Sequence, residues 1–135
     1  MEVRIALDSN RYTDLCRGVP QVVEVIDNAI EVHVPLIVIA EQRAGFANGT
    51  SREKNERVLT RFLNTAGVFI LAPDEQTTFF YADAYAYLRK KGKPIPTNDL
   101  SIAALVLQHQ LVLFDRDADF DHLPQLARAK IATGE

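Results

Sequence analysis

Cysteine is almost missing from this chain: Cys16 is the one example in 135 residues. A single thiol makes no internal disulfide and no cysteine zinc site. Long hydrophobic runs are missing as well. The most apolar stretch, Val32 to Ala40, is broken by His33 and Pro35 and falls short of the roughly 18 residues that a membrane span needs. No basic segment followed by a long apolar one stands at the N-terminus, so we expect no signal peptide and a cytoplasmic protein. Nor is there an excess of positive charge. Fifteen Lys and Arg face 18 Asp and Glu, a net charge of −3. That argues against a protein that coats nucleic acid by bulk charge, but not against an enzyme that grips a phosphate backbone locally. Internal repeats and low-complexity tracts are lacking too.

What remains suits one globular domain spanning residues 1–135, with 47% hydrophobic and 24% charged residues, enough for a core. Short apolar runs alternate with longer helical stretches. Glu2 to Leu7 alternates like a strand and ends at Asp8-Ser9-Asn10, a turn and helix-cap cluster. Arg11 to Arg17 reads as a short helix, and Pro20 sits in the first turn of another that runs to about Ile30. Val32 to Val34 is a short strand. Leu36 to about Asn48 is a helix closed by Asn48-Gly49, and Thr50-Ser51 caps the next. Val68 to Leu71 is a strand, and Pro73-Asp74 opens a long helix to about Lys91. Gly92 to Pro96 is a loop. Thr97-Asn98 caps a helix through about Leu107. Leu111 to Phe114 is a further strand, followed by the acidic run Asp115 to Asp121. The remainder is irregular, with an edge strand expected near Lys130-Ile131. Strands separated by helices give an α/β fold with a parallel sheet. In such sheets ligands bind beyond the carboxyl ends of the strands.

That edge is where carboxylates accumulate. Asp8 follows the first strand, and Asp115, Asp117 and Asp119 follow the strand at 111–114. Asp99 lies in the first turn of the helix leading into that strand. At helical spacing Glu41 has Ile37, Val38, Ala44 and Gly45 as neighbours, an apolar face on which a carboxylate needs a partner or a metal. Each acid also has a plain explanation. Asp8 can cap a helix, Asp99 can complement a helix dipole, Glu41 can turn to solvent, and the acidic run can be a solvated loop. Convergence of four segments is harder to explain that way. Clustered carboxylates repel, and a divalent cation relieves them. Oxygen-only ligands point to Mg2+ or Mn2+ rather than zinc, and metal-assisted phosphodiester hydrolysis is the reaction such a site suits.

The stretches Ile5-Ala-Leu-Asp-Ser-Asn10, Val38-Ile-Ala-Glu41, Pro96-Thr-Asn-Asp-Leu-Ser-Ile-Ala-Ala104 and Leu113-Phe-Asp-Arg-Asp-Ala-Asp-Phe120, with Leu123-Pro124 after them, resemble the PIN-domain ribonucleases. Among these they are most similar to the VapC toxins of VapBC toxin–antitoxin pairs. Each motif alone is weak, but the four occur in the family's order and span nearly the whole chain. The resemblance implies a PIN-like α/β/α fold with a central parallel sheet of four to five strands. It implies a Mg2+- or Mn2+-dependent endoribonuclease in which Asp8, Glu41, Asp99 and Asp117 are the acidic quartet. Asp119 matches a fifth acidic position, and Ser9 a small hydroxyl residue that orients the last acid. Asp115 departs from the family, which has Thr or Ser there, and adds a charge beside the site. The resemblance further implies a homodimer and a small VapB-like antitoxin.

Candidate RNA contacts are Arg43 and the run Arg89, Lys90, Lys91 and Lys93, which leads into the Asp99 loop. Arg52, Lys54, Arg57 and Arg61 alternate with Glu53 and Glu56 and read better as a solvated helix face. Tyr12, Tyr81, Tyr85 and Tyr87 have the chemistry to stack on unpaired bases, but helix packing is the stronger expectation. Phe79 and Phe80 read as core or dimer contact. His33, His109 and His122 are assigned no catalytic role. Two other readings compete. One is a non-catalytic PIN-type module that only binds RNA or protein. The other is a Mg2+-binding phosphoacceptor receiver domain, disfavoured because Val68 to Leu71 is followed by Ala-Pro instead of Asp.

Overall fold

The computed structural model describes residues 2–131. Four short apolar runs form strands: β1 (Arg4–Leu7), β2 (Glu31–Pro35), β3 (Val68–Leu71) and β4 (Val112–Phe114). All pairings are parallel, and the order is β3-β2-β1-β4. This is the α/β architecture expected from the alternating pattern. The central strand β1 pairs on both sides, Ile5 opposite Val32 and Val112, and its Ile5, Ala6 and Leu7 are fully buried. From β1 the chain moves to β2 and β3 on one side, then returns to place β4 on the other. The order therefore reverses between β1 and β4, which makes the carboxyl end of that pair the crevice where a ligand fits.

Six helices flank the sheet: α1 (Ser9–Cys16), α2 (Pro20–Asn28), α3 (Leu36–Ala47), α4 (Arg52–Leu63), α5 (Thr77–Lys91) and α6 (Thr97–His109). None is long and apolar enough to cross a membrane. In α6, Leu100 and every residue from Ile102 to Val106 are buried. It is thus an interior helix, covered by α5 on one side, and this burial holds its first turn fixed against the strand ends.

Several boundaries differ from expectation for local reasons. α1 starts directly at Ser9 because Asp8 itself is the N-cap, accepting the Ser9 N–H at 2.8 Å. α5 starts at Thr77 rather than at Pro73-Asp74. Asp74 accepts the Thr77 N–H at 3.1 Å while its own N–H goes to Thr77 Oγ1 at 2.8 Å, which holds residues 74–77 as a turn ahead of the helix, whose N-cap is Gln76. Ser51 is the N-cap of α4 as expected, though its side chain makes no cap bond, whereas Thr97-Asn98 lie inside α6, whose N-cap is Pro96. The edge strand expected at Lys130-Ile131 is instead a single parallel bridge between Leu113 and Arg128. Leu113 donates to Ala127 O, and Ala129 donates to Leu113 O, each at 2.8 Å.

Candidate active site

The acidic run is no solvated loop. Residues Ala118–His122 form a 3-10 helix, and Phe120 within it is fully buried, as is Leu123 just beyond. The apolar anchor turns Asp117 and Asp119 toward the carboxyl ends of β1 and β4. Asp8 arrives beside them from β1, because its N–H pairs with Phe114 O at 3.1 Å. Asp99 comes from the first turn of α6. One carboxylate oxygen each from Asp99, Asp117 and Asp119 lie within 4.8 Å of one another, close enough to share one cation.

Two of these acids carry the cost of crowding. Asp8 is 4% exposed, and burial pushes its carboxyl from the ordinary 3.8 to about 6, helped by the charges of Asp115, Glu41 and Asp117 and opposed by the Ser9 N–H. Asp99 is raised to about 7, first by burial, then by the adjoining Asp117 carboxyl, then by the charges of Asp8 and Asp119. Among the described residues no Lys or Arg forms a salt bridge with Asp8, Glu41, Asp99, Asp117 or Asp119. Glu41 is half-buried on α3 and held from two sides. Ser9 Oγ donates to Oε1 at 2.8 Å, and Asn98 Nδ2 donates to Oε2 at 3.2 Å. Gln42 Nε2 also donates to Ser9 O at 3.2 Å, tying α3 to α1. The structure thus brings Asp8, Ser9, Glu41, Asp99, Asp117 and Asp119 to one sheet edge.

Asp115 stands apart from them. It is buried and spent on Arg128, whose Nε and Nη2 donate to its two oxygens at 3.0 and 2.6 Å. Arg128 also donates to Asp121 and, at 3.1 Å, to Asp117 O. The extra charge expected at position 115 is therefore paired within the fold, although it still acts on Asp8, and Asp115 in turn accepts the Asp117 N–H at 2.9 Å. Sequence reasoning missed Arg128, which lies in a segment with no periodic signal. It also read Asn98 as a cap when its side chain reaches Glu41. A second clamp joins α1 to the acidic segment. Asp14 is held below the usual aspartate range, chiefly by the Arg116 guanidinium and then by Arg11, and Arg11 also donates to Asp115 O at 3.2 Å.

The candidate RNA contacts divide. Arg43 is engaged by Glu56 in an exposed two-point pair at 2.9 and 3.1 Å. Lys91 lies over the Tyr87 ring and donates to His122 O at 3.2 Å, which brings the basic run beside the 3-10 helix. Arg89, Lys90 and Lys93 are exposed, with no carboxylate partner among the described residues. Tyr12 packs as expected, buried with its ring 5.5 Å from that of Phe62, and Tyr81 is half-buried. Tyr85 and Tyr87 do not pack away; they are 51% and 38% exposed. Phe79, 61% exposed, is not core either.

Residues 5–126 match the PIN domain family. The chain belongs to the PIN-domain family. A relative, Toxin FitB of Neisseria gonorrhoeae, is 34% identical over 121 residues, covering 84% of this chain and 87% of that protein. The structure of VapBC2 from Rickettsia felis bound to a DNA fragment from their promoter superposes with a TM-score of 0.84 at 23% identity, covering 96% of this chain and 100% of the other. That of FitAcB from Neisseria gonorrhoeae gives 0.71 at 28% identity, covering 93% and 96%. Together these matches support a VapC-like PIN toxin, and the four-stranded parallel sheet described above is the PIN arrangement.

Proposed function

We propose that this PIN domain is a Mg2+- or Mn2+-dependent endoribonuclease, the toxin of a VapBC-type pair. The observation that carries this reading is the convergence of Asp8, Glu41, Asp99, Asp117 and Asp119, from four separate segments, without a salt-bridge partner among the described residues. Such a set is unfavourable by itself and suits a hard cation. Asp99, Asp117 and Asp119 are the ligands best placed to hold it, with Asp8 and Glu41 completing the oxygen set. When bound, the cation supplies charge that offsets the negative charge building on the phosphodiester during hydrolysis. Ser9 and Asn98 fix the direction of Glu41. Asp115 and Arg128 set the backbone that presents Asp117. Water attacks phosphorus, the bond to the leaving ribose oxygen breaks, a carboxylate of the set accepts a proton of the water, and the leaving oxygen takes a proton from solvent.

The exposed cations Arg89, Lys90 and Lys93, with Lys91 beside them, are proposed to hold RNA phosphates, whereas Arg43 reaches RNA only by leaving Glu56. An apolar groove of about 420 Å3 between α3, α5 and α6, lined by Leu36, Ile37, Tyr81 and Leu105, offers the exposed apolar surface on which a homodimer or a VapB-like antitoxin depends. We place the action in the cytoplasm, with the RNA. The test is cleavage of a single-stranded RNA pool by purified protein. Cutting with Mg2+ or Mn2+, none with chelator, and none by Asp99→Asn with folding retained is the expected result. RNA binding without cleavage under every metal condition would instead favour the non-catalytic module.

A further inference from the structure

Between α5 and the start of α6 lies a hollow of about 270 Å3 that the hydrolysis step above does not use. One wall is a stripe of α5, Tyr81, Tyr85 and Arg89, spaced four residues apart and therefore on one face. The opposite wall is Pro94, Ile95 and Thr97. Thr97 opens α6, and Asp99 follows two residues later in the same turn. Residues two apart on a helix point to different faces, so the hollow and the acidic centre lie on different sides of the same first turn of α6.

Its walls are preformed. Gly92 takes a left-handed conformation with φ 74°, which a residue with a side chain rarely adopts. Its N–H closes on Arg89 O at 3.1 Å, and the Lys93 N–H closes on Leu88 O at 3.0 Å. Pro94 and Pro96 then stiffen the turn into α6. The space is smaller than the about 300–1,000 Å3 typical of cavities that take whole small ligands, and it suits a single ring system. The lining combines an exposed phenol ring, a planar guanidinium and apolar walls. Arg89 lines it with no acidic partner among the described residues, and the exposed Lys90 and Lys93 flank it in sequence. Flat apolar faces with cations around them fit a planar base attached to a polyanion. A purely apolar partner would leave those cations unmatched.

We propose that the hollow between α5 and the first turn of α6, lined by Tyr81, Tyr85 and Arg89, is a subsite for one unpaired nucleobase of an RNA strand, next to the phosphodiester held at the acidic centre. This rests on the nuclease reading and deepens it. The subsite admits single strands and excludes paired bases. It also makes recognition of one position in the RNA depend on Tyr85.

The test uses the full chain in the Asp99→Asn background with Mg2+, so that the strand stays intact. Fluorescence anisotropy reads binding of labelled single-stranded RNA hexamers, one natural and a series each lacking a single base. Tyr85→Ala should weaken binding of the natural hexamer about tenfold, and Tyr85→Phe should stay within about twofold. One abasic position should weaken binding to the Asp99→Asn protein by a similar factor and cost nothing further once Tyr85→Ala is present. Equal binding by Tyr85→Ala and Tyr85→Phe, or an abasic effect that persists in Tyr85→Ala, would overturn the subsite. So would a change of molar mass on Tyr85→Ala, which would assign the face to a second copy of the chain. Cleavage by the unsubstituted protein, measured separately, tests the nuclease reading. Base-sensitive binding without cleavage sinks that reading alone, and cleavage with base-insensitive binding sinks the subsite alone.

Discussion

Asp99 serves two purposes that pull against each other. Its carboxylate is placed where a cation would need it, and without one it sits near Asp117, Asp119 and Asp8. Asp8 and Asp99 both have folded-state values raised from 3.8, to about 6 and about 7. Their protonated forms therefore stabilise the fold, fully below about pH 4, and that stabilisation is lost as pH climbs through 6 and 7. The acids with lowered values, Asp14, Glu56 and Asp74, act at more acid pH and leave this window clear. The metal-free protein should melt at a lower temperature at pH 8 than at pH 5. Asp99→Asn should raise the metal-free melting temperature at pH 8 while abolishing RNA cleavage, as calorimetry and a cleavage assay would read. A melting temperature lowered by Asp99→Asn would mean that the carboxylates do not repel. Arg128 poses the opposite case. Arg128→Ala leaves Asp115 buried and unpaired, and should cost about 3 kcal/mol in urea unfolding. Adding Asp115→Asn should restore part of that loss. Stability unaffected by Arg128→Ala would contradict the pairing.

At the scale of elements, the 3-10 helix is the device that converts an acidic run into a site. Phe120 is completely buried and holds Asp117 and Asp119 at the strand ends. Phe120→Ala should cost about 3–5 kcal/mol, and folded protein should bind Mn2+ more weakly, because the loop then has no apolar anchor. Unchanged Mn2+ affinity in folded Phe120→Ala protein would separate the anchor from the site. The elements also show what the sequence made legible. The strands at 68–71 and 111–114 and the long helices were readable, because apolar periodicity is a local property. Asp8, Glu41 and Asp99 could be placed for the same reason, each at a strand end or on a helix face. What was not readable depends on partners distant in sequence. Asn98 looks like a cap until α3 is packed beside it, and Arg128 looks like a surface cation until the bridge to Leu113 sets it over Asp115. The edge strand was misplaced because one bridge leaves no alternating pattern. Tyr85 resembled a packing residue because nothing local tells which face of α5 is covered by α6.

For the whole molecule, the order β3-β2-β1-β4 decides where chemistry can happen. Because the order reverses beside β1, the segments after β1 and β4 meet at a crevice with no strand between them. The two helices bearing Glu41 and Asp99 need only bring those residues to its rim. Four weak motifs scattered over the chain thereby become one acidic centre, the arrangement expected from a PIN-domain protein. Electron paramagnetic resonance of free Mn2+, titrated into the unsubstituted protein, Glu41→Gln, Asp99→Asn and Glu53→Gln at pH 8, tests this most directly. Glu53 lies exposed on α4, outside the centre. The account predicts Mn2+ binding that weakens at least tenfold in Glu41→Gln and Asp99→Asn and stays unchanged in Glu53→Gln. Equal affinity in all four proteins, or no binding at millimolar Mn2+, would contradict it.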